Sequence, residues 1–429
     1  MTAHSFARLP GFRDFPPEDL AFRAHIFGAW RSVARRYGFQ EYDGPPLEAL
    51  DLYVEKSGEE IVGQLYNFID KGDREVALRP EMTPSLARIL AERSRALPKP
   101  IRWFSVPQLF RYERQQRGRL REHFQWNVDI VGEESVAADA EVLAVAIDAL
   151  TELGLGADDF RARVSDRRLL SAILATTGVE EAGMAAAFAA IDKIEREAPE
   201  RVRARLVQDA GVRASDVDQV LGLFGRAGTE GVRVAFGDRE AVASELTRLH
   251  EYVGILDAMG LGPFVEVDLA IVRGLAYYTG IVFELFDRRG ALRAICGGGR
   301  YDRLLELVGG ESLPAVGFGM GDVVLGELLR ERGLAPEHAR AIDDYLVVIG
   351  EEQRPVMLRI AHALRSRGRS VAYALRDQSV RKQFKSAEAE GAARVLVLGP
   401  DEAARGVMVA RDMETGLEEE VPITALEGG

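Results

Sequence analysis

Residues 110–121 read Phe110-Arg111-Tyr112-Glu113-Arg114-Gln115-Gln116-Arg117-Gly118-Arg119-Leu120-Arg121. Five arginines fall within eleven residues, between strand-like runs at 101–112 (IRWFSVPQLFRY) and 124–131 (FQWNVDIV). A β-hairpin tip built this way can hold a polyphosphate, because guanidinium groups pair bidentately with phosphate oxygens. A solvated basic tip would look the same in isolation, but the returning strand argues against it. Its period-two alternation places Gln125, Asn127 and Asp129 on one face. Polar side chains seldom line a strand beside a core unless something satisfies them.

Three glycine-bearing segments lie further along the chain. Arg273-Gly274-Leu275-Ala276-Tyr277-Tyr278-Thr279-Gly280 sits between apolar runs and offers a cation beside two phenols. In Cys296-Gly297-Gly298-Gly299-Arg300-Tyr301-Asp302 the glycines follow a strand-like run and would let backbone approach a ligand. Gly317-Phe318-Gly319-Met320-Gly321 opens a helix, yet it has neither the P-loop lysine nor the dinucleotide spacing. The six histidines (His4, His25, His123, His250, His338, His362) show no metal-ligand spacing, so no bound metal is expected. Cys296 is the lone cysteine, which excludes a disulfide framework, and no Gly-x-Ser-x-Gly elbow supports acyl-enzyme chemistry.

At 429 residues the chain exceeds a single core, and 47% hydrophobic with 29% charged residues excludes a disordered or collagen-like polymer. The net charge of -13 excludes a wholly basic binder but leaves room for local basic patches. Periodicity predicts a helix over 18–37, strands over 65–70 and 75–79, and a helix capped by Thr83 and opened by Pro84. A further helix is expected over 135–153, and strands over 264–272, 281–286 and 291–296. Residues 170–262 read as an Ala-, Glu- and Arg-rich helical insertion, 330–342 as a linker, and 343–429 as a small βαβαβ unit. From Arg365 to Lys385 seven cations face a single acid, Asp377, which marks a local basic face. No apolar run approaches membrane-spanning length and no leader is evident, so a cytoplasmic protein is expected.

Together these segments resemble the class II aminoacyl-tRNA synthetases, and the histidyl-tRNA synthetase family in particular, from Leu9-Pro10-Gly11-Phe12-Arg13-Asp14 nearly to the end of the chain. FRYERQQRGRLREHFQ is similar to motif 2, LRPEMTPSLAR to the amino-acid-binding segment, and RGLAYYTGIVFE and GGGRYD to the two histidine-specific segments. AVGFGMG is similar to the start of motif 3, and Glu41-Tyr42-Asp43-Gly44-Pro45-Pro46-Leu47 to motif 1. LRDQSVRKQFKSAEAEGA is similar to the anticodon-binding domain.

The resemblance implies an α+β fold. An antiparallel class II catalytic sheet (1–169 and 263–329) would carry the helical insertion (170–262), with an α/β anticodon-binding domain (343–429) at the C-terminus. It implies a homodimer that makes histidyl-adenylate from histidine and ATP with Mg²⁺, then charges tRNA(His), with no tightly bound cofactor and no membrane partner. Arg111 and Arg273 would be the catalytic cations at the α-phosphate, with Glu113 and Arg119 on ATP and either His123 or Phe124 stacked on adenine. Histidine would contact Glu81, Thr83, Arg111, Gln125, Asp129, Arg273, Tyr277 and Tyr278, and tRNA would meet Arg376, Arg381, Lys382 and Lys385. Three positions depart from the common family pattern. Asp129 stands where many members have Glu, Ala276 where they have Asp, and Val324 where motif 3 has arginine. The spellings resemble a subgroup like that of plant organelles. Two alternatives use the same catalytic fold: a synthetase-like regulatory subunit of ATP phosphoribosyltransferase, and a non-catalytic tRNA-binding or sensor paralogue.

Overall fold

The computed structural model describes residues 7–54, 63–113, 117–224, 228–273, 277–290, 292–307, 309–336 and 342–427. They form two compact units, Met1–Ala335 and Pro336–Gly429.

In the first unit the helix Pro17–Arg36 leads into β1 (Gln40–Glu41). Next, β2 (Leu47–Ala49), β3 (Tyr66–Ile69) and β4 (Glu75–Leu78) form a small antiparallel sheet in the order β2-β4-β3. The helix Thr83–Arg93 has Met82 at its cap position, with no side-chain capping bond, so Thr83 is its first helical residue. Beyond it come β5 (Ile101–Ser105), β6 (Gln108–Phe110) and the long β7 (Glu122–Val131). The expected single strand over 101–112 breaks at Val106-Pro107, where proline supplies no N–H to a ladder.

The helix Val136–Glu152 leads to β8 (Phe160–Asp166), and among the described residues six helices between Arg167 and Ala258 separate it from β9 (Val265–Val267). The strand expected to run to 272 stops early because Asp268 turns back and accepts from the Ala270 N–H (3.0 Å). Then follow β10 (Ile281–Asp287), β11 (Cys296–Arg300), β12 (Ala315–Gly321) and the helix Asp322–Glu331. The main sheet runs β1-β5-β7-β12-β11-β10-β8-β9, with β6 pairing onto β7. Its interior pairings are antiparallel, and only the edge pairings β1–β5 and β8–β9 are parallel. The glycines expected beyond a strand at 291–296 lie inside β11 itself.

One face of this sheet is the core. Trp126 of β7 stacks on Trp30 of the first helix (5.8 Å, 12°) and meets Phe318 of β12 edge-on (5.1 Å, 83°). Gly298 of β11 belongs to this face, since a Cβ there would lie 2.6 Å from Phe318 Cβ and 2.7 Å from Phe283 Cζ. The helices between Arg167 and Ala258 share the same hydrophobic cluster through Leu170, Ile173, Leu246 and Leu249. Arg300, at the end of β11, ties the sheet to the helix Val136–Glu152. Its Nε and Nη2 reach Asp139 at 3.0 and 2.7 Å, and both side chains are 1% exposed.

The second unit is a sheet of order β14-β13-β15-β16-β17, made of β13 (Ile342–Val348), β14 (Val371–Tyr373), β15 (Ala392–Leu398), β16 (Val407–Asp412) and β17 (Glu418–Pro422). The first three strands are parallel, as the βαβαβ pattern predicts, and an antiparallel pair extends them. Alternate residues of β13 feed two cores. Leu346 and Val348 pack with Met357 and Leu364, while Tyr345 and Val347 pack with Ala387. Among the described residues of the chain no helix is long and apolar enough to cross a membrane.

Removing Asp139 takes from buried Arg300 its two-pronged partner and leaves it Asp302 (3.2 Å) and two backbone carbonyls, and losing one partner of a buried pair typically costs about 3–5 kcal/mol. Asp139→Ala should lower unfolding free energy in urea by that amount. A loss below about 1 kcal/mol would contradict a structural role for the pair.

Candidate active site

The face opposite the core is almost bare at its centre. On β11 Gly297 and Gly299 point to it, and on β12 Gly317, Gly319 and Gly321 do. Neighbouring side chains lean into the space. A Cβ at Gly297 would overlap Arg273, one at Gly317 would overlap Asp129, and one at Gly319 would come within 2.7 Å of Gln125. At Gly299 it would lie 2.7 Å from the Ile281 carbonyl and 3.0 Å from Tyr278. The glycines therefore lie under the side chains of a site, whereas the sequence pattern suggested backbone presented directly to a ligand.

Along β7, His123, Gln125, Asn127 and Asp129 line this face, and Phe124 lies on the other. Phe124 packs against Phe27 (5.3 Å) and under Arg23 (4.5 Å), and its N–H donates to Asp322 (2.9 Å). Of the two rings considered for adenine, only His123 shares a cleft with the motif 2 arginines. That cleft is lined by Arg111, Glu113, Arg119, His123, Gly321 and Val324. Burial pulls the His123 pKa down to about 3, assisted by Arg111, Arg13 and Arg119, so the ring is neutral.

Arg111 donates from Nε to the Pro80 carbonyl (2.9 Å). Glu113 is buried, pairs with Arg119, and keeps Oε1 without a partner among the described residues. Arg114, Gln115 and Gln116, at the tip of the motif 2 hairpin, lie outside the described residues. Val324 packs under Gly118, where a Cβ would lie 3.2 Å from Val324 Cγ2. Arg117 reaches past it to Glu327 (3.4 Å) and Glu331 on the same helix. Arg13, a residue without an expected role, clamps the end of β7 to that helix, with Glu122 at 2.6 Å and Asp322 at 2.9 Å.

At the other end of the face a chain of contacts runs from Arg273 to Asp129. Arg273 adopts a positive φ of 56° and pairs with Glu284 of β10. Its guanidinium lies 5.8 Å from the Tyr278 ring, which is 5.0 Å from Tyr277, which is 5.9 Å from Tyr301. Thr83 and buried Glu81 both act electrostatically on Tyr277, and Glu81 acts on Tyr278 as well. The Tyr301 hydroxyl donates to Asp129. Burial pushes the Asp129 pKa up to about 7, and that donated bond only partly opposes it. Gly274, Leu275 and Ala276 lie outside the described residues.

Glu284 and Tyr301 were not among the expected site residues. A single carboxylate in the apolar run Ile281-Val282-Phe283-Glu284-Leu285-Phe286 was the available signal for the first. The second lay in plain view within GGGRYD.

In the second unit Arg376, Arg381, Lys382 and Lys385 are exposed and make no ion pair among the described residues. The neighbouring cations are committed elsewhere. Arg365 donates to the Val371 carbonyl, Arg367 to the carbonyls of Ala425 and Leu426, and Arg369 pairs with Asp344. Beside the edge strand β14 a groove is lined by Tyr345, Tyr373, Arg376, Gln378 and Ser386.

The chain is similar to known proteins over nearly all of its length. The family model described as histidyl-tRNA synthetase matches residues 11–321, and one described as an anticodon binding domain matches 344–428. The histidine–tRNA ligase of Opitutus terrae is 45% identical over 421 residues, covering 97% of this chain and 96% of that protein. The chloroplastic/mitochondrial histidine–tRNA ligase of Arabidopsis thaliana is 39% identical over 418 residues, covering 97% and 85%. The crystal structure of histidyl-tRNA synthetase from Nostoc sp. PCC 7120 superposes with a TM-score of 0.84 at 23% identity, covering 99% of this chain and 98% of that one. With Arg111, His123, the glycine floor, Arg273 and Tyr278 on one sheet face, and with relatives matched over most of their length, the chain belongs to the histidyl-tRNA synthetase family.

Proposed function

We propose that the chain activates histidine with ATP and transfers it to the 3′ end of tRNA(His). The observation that carries this reading is the shared face of β7. His123 stands in the arginine-lined cleft and Asp129 ends the tyrosine chain, six residues or about 20 Å along the strand. A nucleotide at one end and an amino acid at the other would meet near Gln125, with Arg111 and Arg273 supplied from the two sides.

The chemistry needs no protein nucleophile. The histidine carboxylate, already ionised, attacks the α-phosphorus, and the bond to pyrophosphate breaks. Arg111 and Arg273 would neutralise the charge that builds on the α-phosphate oxygens, an interaction that grows toward the transition state. Glu113 and Arg119 would hold the nucleotide, and neutral His123 would offer its ring face to adenine. Mg²⁺ would enter with ATP as a phosphate counter-ion, and the free Oε1 of buried Glu113 is the carboxylate oxygen suited to it. In the second step a ribose hydroxyl of the tRNA attacks the histidyl carbonyl and AMP leaves.

Arg376, Arg381, Lys382 and Lys385 would take the anticodon stem and loop, being held by neither a carboxylate nor a backbone carbonyl among the described residues. A regulatory or sensor paralogue would have little use for both phosphate-facing arginines and an anticodon domain. The motif 1 segment, together with the exposed Leu47, Phe68 and Ile69 on the small sheet, supports a homodimer.

Arg273→Ala should cut histidine-dependent ATP–pyrophosphate exchange by about 10²–10³-fold, the usual effect of deleting a transition-state cation or donor. Gly297→Ala should produce a comparable loss, because its Cβ would displace Arg273. Exchange within about tenfold of the parent in either variant would remove Arg273 from the role.

Reversing charge at Arg381 and Lys382 should raise the tRNA KM and flatten the salt dependence of binding, while exchange stays intact. An unchanged salt slope would take this face out of the recognition surface. Sedimentation at micromolar concentration should give a dimer. A fully active monomer would overturn that assignment.

A further inference from the structure

Four phenols surround the far end of the glycine face, and three belong to the chain of contacts already described. Tyr301 donates to Asp129, the Tyr277 ring lies 5.9 Å from Tyr301, and the Tyr278 ring lies 5.0 Å from Tyr277 and 5.8 Å from the Arg273 guanidinium. The fourth is Tyr42, from the segment that resembles motif 1. Its backbone N–H donates to the Phe104 carbonyl (2.9 Å), continuing the pairing of β1 with β5. Its ring lies on Trp103, with centroids 5.4 Å apart, and Trp103 stands directly opposite Asp129 in the β5–β7 register.

The Tyr42 hydroxyl is buried and has no hydrogen-bond partner among the described residues. The charged and titratable groups acting on it are Asp129, Asp43 and Arg79, and it acts in turn on Tyr301. Arg79 and Asp43 are paired at 2.8 Å, and Arg79 also donates to the Gly44 carbonyl (2.7 Å). Neither of them recruits the phenol. Asp129 lies within electrostatic reach without being bonded to it, and Tyr301 occupies only Oδ1 of that carboxylate.

A buried hydroxyl without a partner is costly, and one that converges with a carboxylate from the opposite wall suits a flat ligand edge. A neutral imidazole presents such an edge, with one N–H donor and one bare nitrogen acceptor. We propose that Tyr42 is a further histidine-recognition residue, its buried hydroxyl donating to the bare ring nitrogen while Asp129 accepts from the ring N–H. In this chain the acid is one methylene shorter than the usual Glu, and a phenol from the β1 segment closes in from the other side. The inference rests on the histidine-activating function proposed above and names the groups that read the ring.

The test is ATP–pyrophosphate exchange by the full chain and by Tyr42→Phe, which removes only the hydroxyl. Both are assayed with histidine and with a pyrrolyl analogue, in which carbon replaces the bare nitrogen. The histidine KM should rise about tenfold in the variant with kcat little changed, as for a lost hydrogen bond that is the same in ground and transition states. The preference for histidine over the pyrrolyl analogue should shrink by a similar factor, because the analogue never used the hydroxyl. The melting temperature should hold or rise, since an unpartnered buried group is gone. A histidine KM within about twofold of the parent, or an equal KM rise for both compounds, overturns the assignment of Tyr42. Absence of histidine-dependent exchange in the parent chain overturns the parent function and this inference together, and so is distinguishable from failure of Tyr42 alone.

Discussion

The site depends on side chains being absent at the centre of the sheet. Gly297, Gly299, Gly317 and Gly319 leave a two-strand floor, and Arg273, Tyr278, Asp129 and Gln125 lie across it from the neighbouring strands and loops. Glycine is a weak strand former, destabilising by roughly 0.5–1 kcal/mol per residue relative to Ala. Four such residues on adjacent strands therefore need support from the opposite face. That support is the stack of Trp30, Trp126 and Phe318, with the Arg300–Asp139 pair closing the end of β11. Packing on one face thus holds flat a surface that would otherwise be among the least stable in the sheet.

A second consequence concerns charge at the nucleotide end. Where motif 3 commonly supplies an arginine, Val324 makes an apolar contact with the turn at Gly118. The cations lining the cleft, Arg111 and Arg119, both come from the hairpin of motif 2. Arg117 of that hairpin is instead held by Glu327 and Glu331, further along the helix that carries Val324. The helix contributes acceptors that anchor the loop, and the loop contributes the phosphate-facing charge.

Much of this was legible in the sequence, and the omissions have physical causes. The alternation Gln125, Asn127, Asp129 puts these side chains together on the glycine face of β7, as the period predicts. The same parity puts His123 on that face and Phe124 on the other, which is why the proposed nucleotide contact falls to His123. The glycines after Cys296 read as lying beyond a strand because glycine is depleted from strands, yet Cys296–Arg300 pairs on both sides. Only a three-dimensional demand, room for Arg273 and Tyr278, explains glycine there. Tyr301 and Tyr42 could not be assigned from spacing, since strand pairing across the sheet is what brings Tyr301 to Asp129 and sets Tyr42 on Trp103, opposite Asp129. In the second unit the basic face was legible as a run of cations. Which of them are free was not, because Arg365, Arg367 and Arg369 are drawn off by backbone carbonyls and Asp344.

The central claim is that this face selects one amino acid, an imidazole bearer, and joins it to ATP. It is tested most directly by ATP–pyrophosphate exchange with the purified chain, offered each standard amino acid in turn. Exchange that depends on histidine and falls to background with every other amino acid is the predicted result. Exchange supported equally by an apolar or carboxamide side chain would contradict the account, as would none with histidine.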